Sequence, residues 1–438
     1  MKQQNEIVMA CICDYAGLVR GKGYIVDPTD NKKAGAIGLA PTNLMITAFG
    51  DIVDSPWGSR GDILMMPVQE TRVVVEYNTD QPAERFVLCD LLELDGSPWS
   101  CCPRNWLQRG LDILENEFGL CVKAAFEHEF HYSGASRRLG NAYGLDAMRL
   151  QGLFAATLIN ALQINDIEPE MFMPEYGPQQ YEVTCAPALG IAAADRAVRL
   201  REIVRSVARS FGRKATFAPV MGMGMVGNGV HIHYSLVDRA GKARTYDPDS
   251  RHCLAPDAAC FTAGILRSMP EFIALTAPSV LSYERLQPNR WSAAYNNLAD
   301  KDREAGIRIC PLPKLPDIEA STRFNLEYRA ADAAANPYLV LGAIVWAGID
   351  GLRNKLTIPV PTEGDPGTLS TEELQQRGIQ RLPTSLGEAL FALRKSKRLK
   401  SWMGDEFHNA YLVHKQSELS LLEGLDAEQQ VGRYVECY

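Results

Sequence analysis

The sequence predicts an α+β protein: a small sheet-rich domain followed by a larger one in which strands and helices alternate. Three observations carry this reading. The first hundred residues hold short β-branched runs separated by Gly/Pro-punctuated loops; the stretch Ser97-Pro98 to Cys102-Pro103 then breaks the pattern; beyond it the apolar spacing switches between strand and helix periods. The expected division is residues 1–100 and 101–438.

In the first domain Glu6 to Asp14 reads as a strand, Ala16-Gly17 as a turn, and Thr71 to Tyr77 as a further strand. Trp106 to Phe118 opens the second domain as a helix. The apolar run Cys121-Val122-Lys123-Ala124-Ala125 then leads into Phe126-Glu127-His128-Glu129-Phe130-His131-Tyr132, a strand. Alternation places Glu127, Glu129 and His131 on one face and Phe126, His128 and Phe130 on the other. A helix from Asp146 to about Asn165 follows, then an extended segment to Thr184 and a helix from about Ala192 to Phe211. The strand Val230 to Val237 and a helix across Thr262 to Leu275 come next. A strand at Asn325 to Arg329 precedes Asn336-Pro337, a cap residue followed by proline at the first helical position. Tyr338 to Ile349 reads as a buried helix, too short to cross a bilayer. Pro359 to Pro383 reads as a loop or lid, and Ser385-Leu386-Gly387-Glu388 as a capping box opening the closing helices.

Composition narrows the function classes. A chain of 438 residues, 46% hydrophobic, can bury a large core. Its net charge of −8, with no run of five basic residues, argues against a nucleic-acid partner. The polar start, Met1 to Glu6, lacks the apolar segment of a signal peptide, and no membrane span is expected. Eleven cysteines without a CxxC pair suit reduced thiols packed in the core of a cytoplasmic protein.

Two carboxylates on one strand face repel each other unless a cation lies between them, so Glu127 and Glu129 point first to a metal. Three segments add to the pattern: His231-Ile232-His233, Glu327-Tyr328-Arg329, and Glu175 and Glu182 flanking Tyr176-Gly177-Pro178. Each alone has a plainer reading, as two satisfied histidines or a surface ion pair. Together they place acids and imidazoles on several strands that share one interior. Oxygen-rich ligands with one imidazole and no thiolate select Mg²⁺ or Mn²⁺. The loop Met221 to Gly229 contains a GxGxxG match, but a strand follows it where a dinucleotide site needs a helix. It reads either as backbone that approaches a ligand closely or as a plain turn. Arg285, Arg303, Arg308 and Arg329 form a basic group able to grip carboxylates or phosphates, with surface charge as the alternative.

The order and spacing of these pieces resemble the glutamine synthetase family. The matching stretches are Phe126 to Phe130, Glu175 to Glu182, Gly227-Asn228-Gly229-Val230-His231-Ile232-His233-Tyr234-Ser235-Leu236, Gly306-Ile307-Arg308-Ile309 and Ala334-Ala335-Asn336-Pro337-Tyr338. The resemblance implies a small β-grasp-like domain before a catalytic domain whose antiparallel sheet is flanked by helices. It implies an ATP-dependent ligase that makes γ-glutamyl phosphate from glutamate and lets an amine displace the phosphate. Two or three Mg²⁺ or Mn²⁺ are implied, with Glu129, Glu175 and Glu182 on one ion and Glu127, His231 and Glu327 on another. Arg285, Arg329 and backbone near Gly227 would hold glutamate. Arg303 would stabilise the phosphoryl group in transfer, and Glu175 is the candidate proton acceptor. Glu170, His233, Ser235 and Arg308 fall on nucleotide positions. Asp51, from a neighbouring subunit, and Tyr143 would join the amine pocket of a homo-oligomeric ring, a hexamer or a double-ring dodecamer.

The departures concern the amine. Counted from Arg285 without a gap, the family's flap glutamate, which helps take a proton from ammonium, falls on Trp291. An indole removes the anionic seat and leaves an apolar, π-faced wall, which suits an organic amine. Alternatively Trp291 only packs, and Glu175 or Asp51 deprotonates ammonium. Asn325 stands where the family has a nucleotide-facing arginine, with Arg323 nearby as a substitute, and Val226 where an asparagine touches glutamate. No tyrosine lies in Pro359 to Pro383 to receive adenylylation. The rivals are an ammonium-using glutamine synthetase and a catalytically silent homologue, whose mark would be lost ligands.

Overall fold

A computed structural model describes residues 6–26, 35–77, 82–135, 140–313, 315–316 and 319–438; the polar lead Met1 to Asn5 lies outside them. Two sheets organise the chain. The first has the order Val19–Val26, Glu6–Cys13, Glu84–Leu92, Ile63–Pro67, Ile37–Leu39, with Val73–Val75 also paired to Glu84–Leu92. The expected strand Thr71 to Tyr77 is shorter, because the Thr71 hydroxyl donates to Val68 O (2.7 Å) and closes a 3₁₀ turn over Gln69–Thr71.

The second sheet runs Leu298–Asp300, Ile307–Ile309, Leu326–Tyr328, Val230–Asp238, Leu120–Tyr132, Gln180–Cys185, Pro169–Pro174. It is antiparallel except at one edge, where Leu298–Asp300 pairs parallel with Ile307–Ile309. Leu120–Tyr132 is its long central strand, and burial alternates along it as the two-residue period requires.

The apolar face of this sheet is covered by helices, chiefly Pro103–Phe118, Ile191–Ser210, Pro256–Thr276 and Pro337–Arg353. Pro256–Thr276 is long and apolar enough to cross a membrane by composition, yet it is a core helix packed on Pro337–Arg353. Their close approach depends on glycines. A Cβ at Gly264 would lie 2.1 Å from Ala347 O, and one at Gly348 2.1 Å from the Phe261 ring. Asn336 caps Pro337–Arg353 as its sequence predicts, accepting from the Tyr338 and Leu339 amides. The same side chain donates to Cys13 O (3.0 Å) and Asp14 O (2.9 Å), tying the two sheets' regions together.

Three further expectations need correction. The helix from Asp146 to Asn165 is broken at Gln151 into Leu145–Leu150 and Gly152–Ile164, where Gly152 weakens helical continuity. The stretch Pro359 to Pro383 contains the helix Thr371–Arg377, opened by a full capping box at Ser370 and Glu373, and is pinned by Leu382 N–H to Ala294 O (3.0 Å). The box at Ser385 is half made: Ser385 Oγ accepts from Glu388 N–H, but Glu388 bonds back to Thr384.

Candidate active site

The charged face of the second sheet is assembled by strand register. Glu127 stands opposite His231, and Glu129 opposite Glu182. His233 stands opposite Glu327, which in turn faces Arg308. Charged groups from five strands therefore form one row, and Ser235 extends it beyond His233 by the same parity. Glu175 joins from the turn after Pro169–Pro174, where its N–H donates to Gln180 O (2.8 Å).

The row divides electrostatically. Glu327 is buried between two guanidiniums, with Arg308 Nη1 at 2.9 Å and Arg329 Nη1 closer still. Burial opposes its ionisation, but His231 and Arg329 outweigh it and bring the carboxyl down to about 2. Glu127 is likewise held below its ordinary range, with burial overcome by His231 (3.6 Å) and His233 (3.2 Å). His231 is shifted down to about 4, by burial first and then by Arg329.

The other half lacks such partners. Burial pushes Glu129 up to about 7 although Gly229 N–H donates to it at 2.7 Å. Burial, then the neighbouring Glu127 and Glu129, raises Glu182, and burial raises Glu175. Buried carboxylates that must repel one another and, among the described residues, make no ion pair with a guanidinium fit a divalent cation. The donor set passes that chemical test. The expected triads are not the ones that converge most closely, however. Ligand atoms of Glu127, Glu182 and His231 lie within 4.8 Å of one another, and so do those of His233, Cys310 and Glu327. The physical reason is that Glu129 is drawn to Gly229 N–H, Glu175 to Tyr143 Oη (3.1 Å) and Tyr176 N–H (2.9 Å), and Glu327 to its arginines.

The glycine-rich loop closes over Arg285. A Cβ at Gly227 would lie 2.6 Å from Arg285 Cγ, and one at Gly229 2.7 Å from Nη2, so both positions exclude a side chain. Arg285 Nη2 donates to Ala331 O (2.7 Å) and Arg329 O (3.1 Å), while its buried Nη1 has no partner among the described residues. Gln180 Nε2 bridges Gly227 O (2.8 Å), Asn228 Oδ1 (2.9 Å) and Glu129 (3.2 Å), binding the loop to the acidic strand.

Trp291 is 63% exposed, and Arg303 lies over its ring at 5.9 Å. Its carbonyl accepts from Arg329 Nη2 (3.0 Å), whose Nε donates to Arg303 O (2.8 Å). The two walls of the cleft thus share Arg329. Tyr143 reaches Glu175, as noted. Asp51, Glu170 and Arg323 are exposed, and among the described residues no side-chain hydrogen bond or ion pair joins them to the row. Asn325 Oδ1 lies 2.8 Å from His233 Nδ1.

Two residues escaped the sequence reading. Glu304 accepts the amide N–H of Trp291 (2.6 Å) and of Asn289 (3.0 Å). Cys310 Sγ lies 3.6 Å from His233 Nδ1. Glu304 carries no signal beyond standing next to Arg303 in a charged run; Cys310 follows the Arg308-Ile309 stretch directly.

Residues 100–434 match the glutamine synthetase catalytic domain and residues 1–99 the glutamine synthetase N-terminal domain. The chain is 31% identical over 442 residues to the gamma-glutamylpolyamine synthetase GlnA3 of Streptomyces coelicolor, covering 98% of this chain and 93% of that protein. It is 27% identical over 462 residues to the type-1 glutamine synthetase 1 of Dictyostelium discoideum, covering 99% and 90%. A crystal structure of a glutamine synthase homolog superposes with a TM-score of 0.91 at 38% identity, over 100% of this chain and 99% of that one.

Proposed function

The chain belongs to the glutamine synthetase family of ATP-dependent carbon–nitrogen ligases, and from that premise we propose that it joins the γ-carboxyl of glutamate to an organic amine in place of ammonium. The observation that carries this reading is Trp291. It occupies the position where the family resemblance places an ammonium-handling glutamate, and it presents an exposed indole beside Arg303. An indole stabilises alkyl groups and cationic amines but accepts no proton. The relative named for γ-glutamylpolyamine synthesis supports the same direction.

In this proposal Glu129, Glu175 and Glu182 hold one divalent cation and Glu127, His231 and Glu327 a second, Mg²⁺ or Mn²⁺. When bound, these ions neutralise charge on the phosphates. The protein's own groups do the rest. Arg285, whose buried Nη1 has no partner among the described residues, orients the glutamate carboxylates against Gly227, and Arg329 joins it by giving up one of its backbone-carbonyl contacts. Arg303 faces the phosphoryl group, where preorganised charge lowers the barrier. His233, Ser235 and Arg308 lie on the nucleotide side, with Glu170 and Arg323 at its edge. Glu175, at the edge of the acidic group and hydrogen-bonded to Tyr143, takes the proton from the amine as it attacks. Tyr143, hydrogen-bonded to that carboxylate, borders the amine pocket. Asp51 serves a neighbouring subunit's site in a cytoplasmic ring, residues 1–100 forming the covering domain.

The test offers glutamate, ATP and Mg²⁺ together with equal ¹⁵N-ammonium and a panel of organic amines, and reads the products by mass spectrometry. A γ-glutamyl amide of an organic amine is the expected main product. Labelled glutamine as the main product overturns the proposal.

A further inference from the structure

Resting on the reading of Trp291 as the amine-side wall, we infer that Glu304 is the positioning residue that holds this wall in place and thereby sets which amine the site accepts. The observations concern the loop that follows Arg285. Two of its residues, Asn289 (φ 60°) and Trp291 (φ 52°), adopt left-handed backbone. Asparagine tolerates this region, but a tryptophan there persists only where the surroundings enforce it. The enforcing group is a single carboxylate. Glu304 Oε1 accepts Trp291 N–H at 2.6 Å and Oε2 accepts Asn289 N–H at 3.0 Å, so one side chain clamps both left-handed positions. These are charge-assisted hydrogen bonds, the stronger kind.

Other hydrogen bonds hold the loop at its flanks. Arg329 Nη2 holds Trp291 O, Arg290 Nη1 donates to Gly224 O (2.8 Å), and Ser292 Oγ donates to Arg285 O (2.6 Å). Glu304 is also covalently next to Arg303, whose guanidinium lies over the indole. The clamp therefore joins the amine wall to the segment carrying the arginine on the phosphoryl side. It does not replace the proton acceptor that position 291 lacks, because both oxygens are aimed at backbone amides. Its task is geometric: it fixes where the indole stands, and with it the size of the space left for an amine.

The experiment compares Glu304→Ala and Glu304→Gln in the full-length protein with Mg²⁺, ATP and glutamate. Two readouts separate the positioning role from the wall. Acrylamide quenching of Trp291, isolated from the other five tryptophans by difference against Trp291→Phe in each background, reports the loop. Steady-state kinetics give KM for the amine and for glutamate separately. Glu304→Ala is expected to change the quenching of Trp291 and to raise the amine KM about tenfold while glutamate KM moves less than about twofold, as loss of such hydrogen bonds implies. Glu304→Gln keeps one oxygen acceptor and is expected to recover part of both effects. Unchanged quenching in Glu304→Ala overturns the inference whatever the kinetics. If Trp291→Phe by itself leaves the amine KM unchanged, the wall reading fails instead, and the clamp is judged by quenching alone.

Discussion

The two faces of the strand Leu120–Tyr132 differ in what fixes their residues. On one face Phe126, His128 and Phe130 lie in a layer of rings and helices where shape decides everything: His128 stacks on Phe126 and meets Phe217 edge-on, and burial brings its pKa down to about 3. On the other, Glu127 and Glu129 lie in a row whose members are chosen for charge, and half of that row carries acids that make no salt bridge among the described residues. The first face is optimised for stability. The second holds repulsion that a more stable fold would remove, as functional sites commonly do.

That contrast can be broken from either side. The largest effect is expected from the apolar face: Gly264→Leu, whose new side chain would meet Ala347 O and the Gly351 backbone, should destabilise the fold by about 3 kcal/mol or more or leave it insoluble, as denaturant unfolding would show. On the charged face the reverse is expected. Glu182→Gln relieves repulsion with Glu127 and Glu129, so thermal unfolding should stay level or rise, while kcat/KM falls about a hundredfold or more. The same variant should lose most of the thermal stabilisation that Mn²⁺ gives the parent protein. A fall in Tm for Glu182→Gln without metal would contradict the contrast.

A smaller effect concerns pH and lies away from both faces. His414 is fully buried, donates from Nε2 to Ile46 O (3.1 Å), packs on Tyr15 and neighbours Lys415, with Arg20 nearby. Burial, then Lys415, brings its pKa down to about 3. The unfolded chain therefore binds a proton that the folded one rejects. Stability is complete above about pH 6.5 and lost as the pH falls towards 3, and the step from pH 7 to pH 5 should cost about 2 kcal/mol. His414→Gln should flatten that part of the profile.

What was legible in the sequence follows the same division. Alternation along Phe126 to Tyr132, the Asn336-Pro337 start and the strand–helix order are local properties, and the structure reproduces them. The break at Gln151 and the helix Thr371–Arg377 were missed, although the Ser370 capping box was readable. Within the row, residue types and parity were legible, but not which carboxylate each arginine would take. Arg329, just past the end of the strand Leu326–Tyr328, clasps Glu327 and spends its other nitrogens on Arg303 and Trp291 carbonyls. Glu304 was invisible for a different reason: its partners are backbone amides, which leave no trace in residue identity.

The smallest expected change tests the central claim most directly: kcat/KM for the best organic amine divided by that for ammonium, from phosphate release, in the parent protein and in Trp291→Glu. The organic amine should lead in the parent, and restoring a carboxylate at 291 should lower the ratio about tenfold, worth about 1.4 kcal/mol. Ammonium leading in the parent, with a ratio that Trp291→Glu leaves unchanged, would contradict the account.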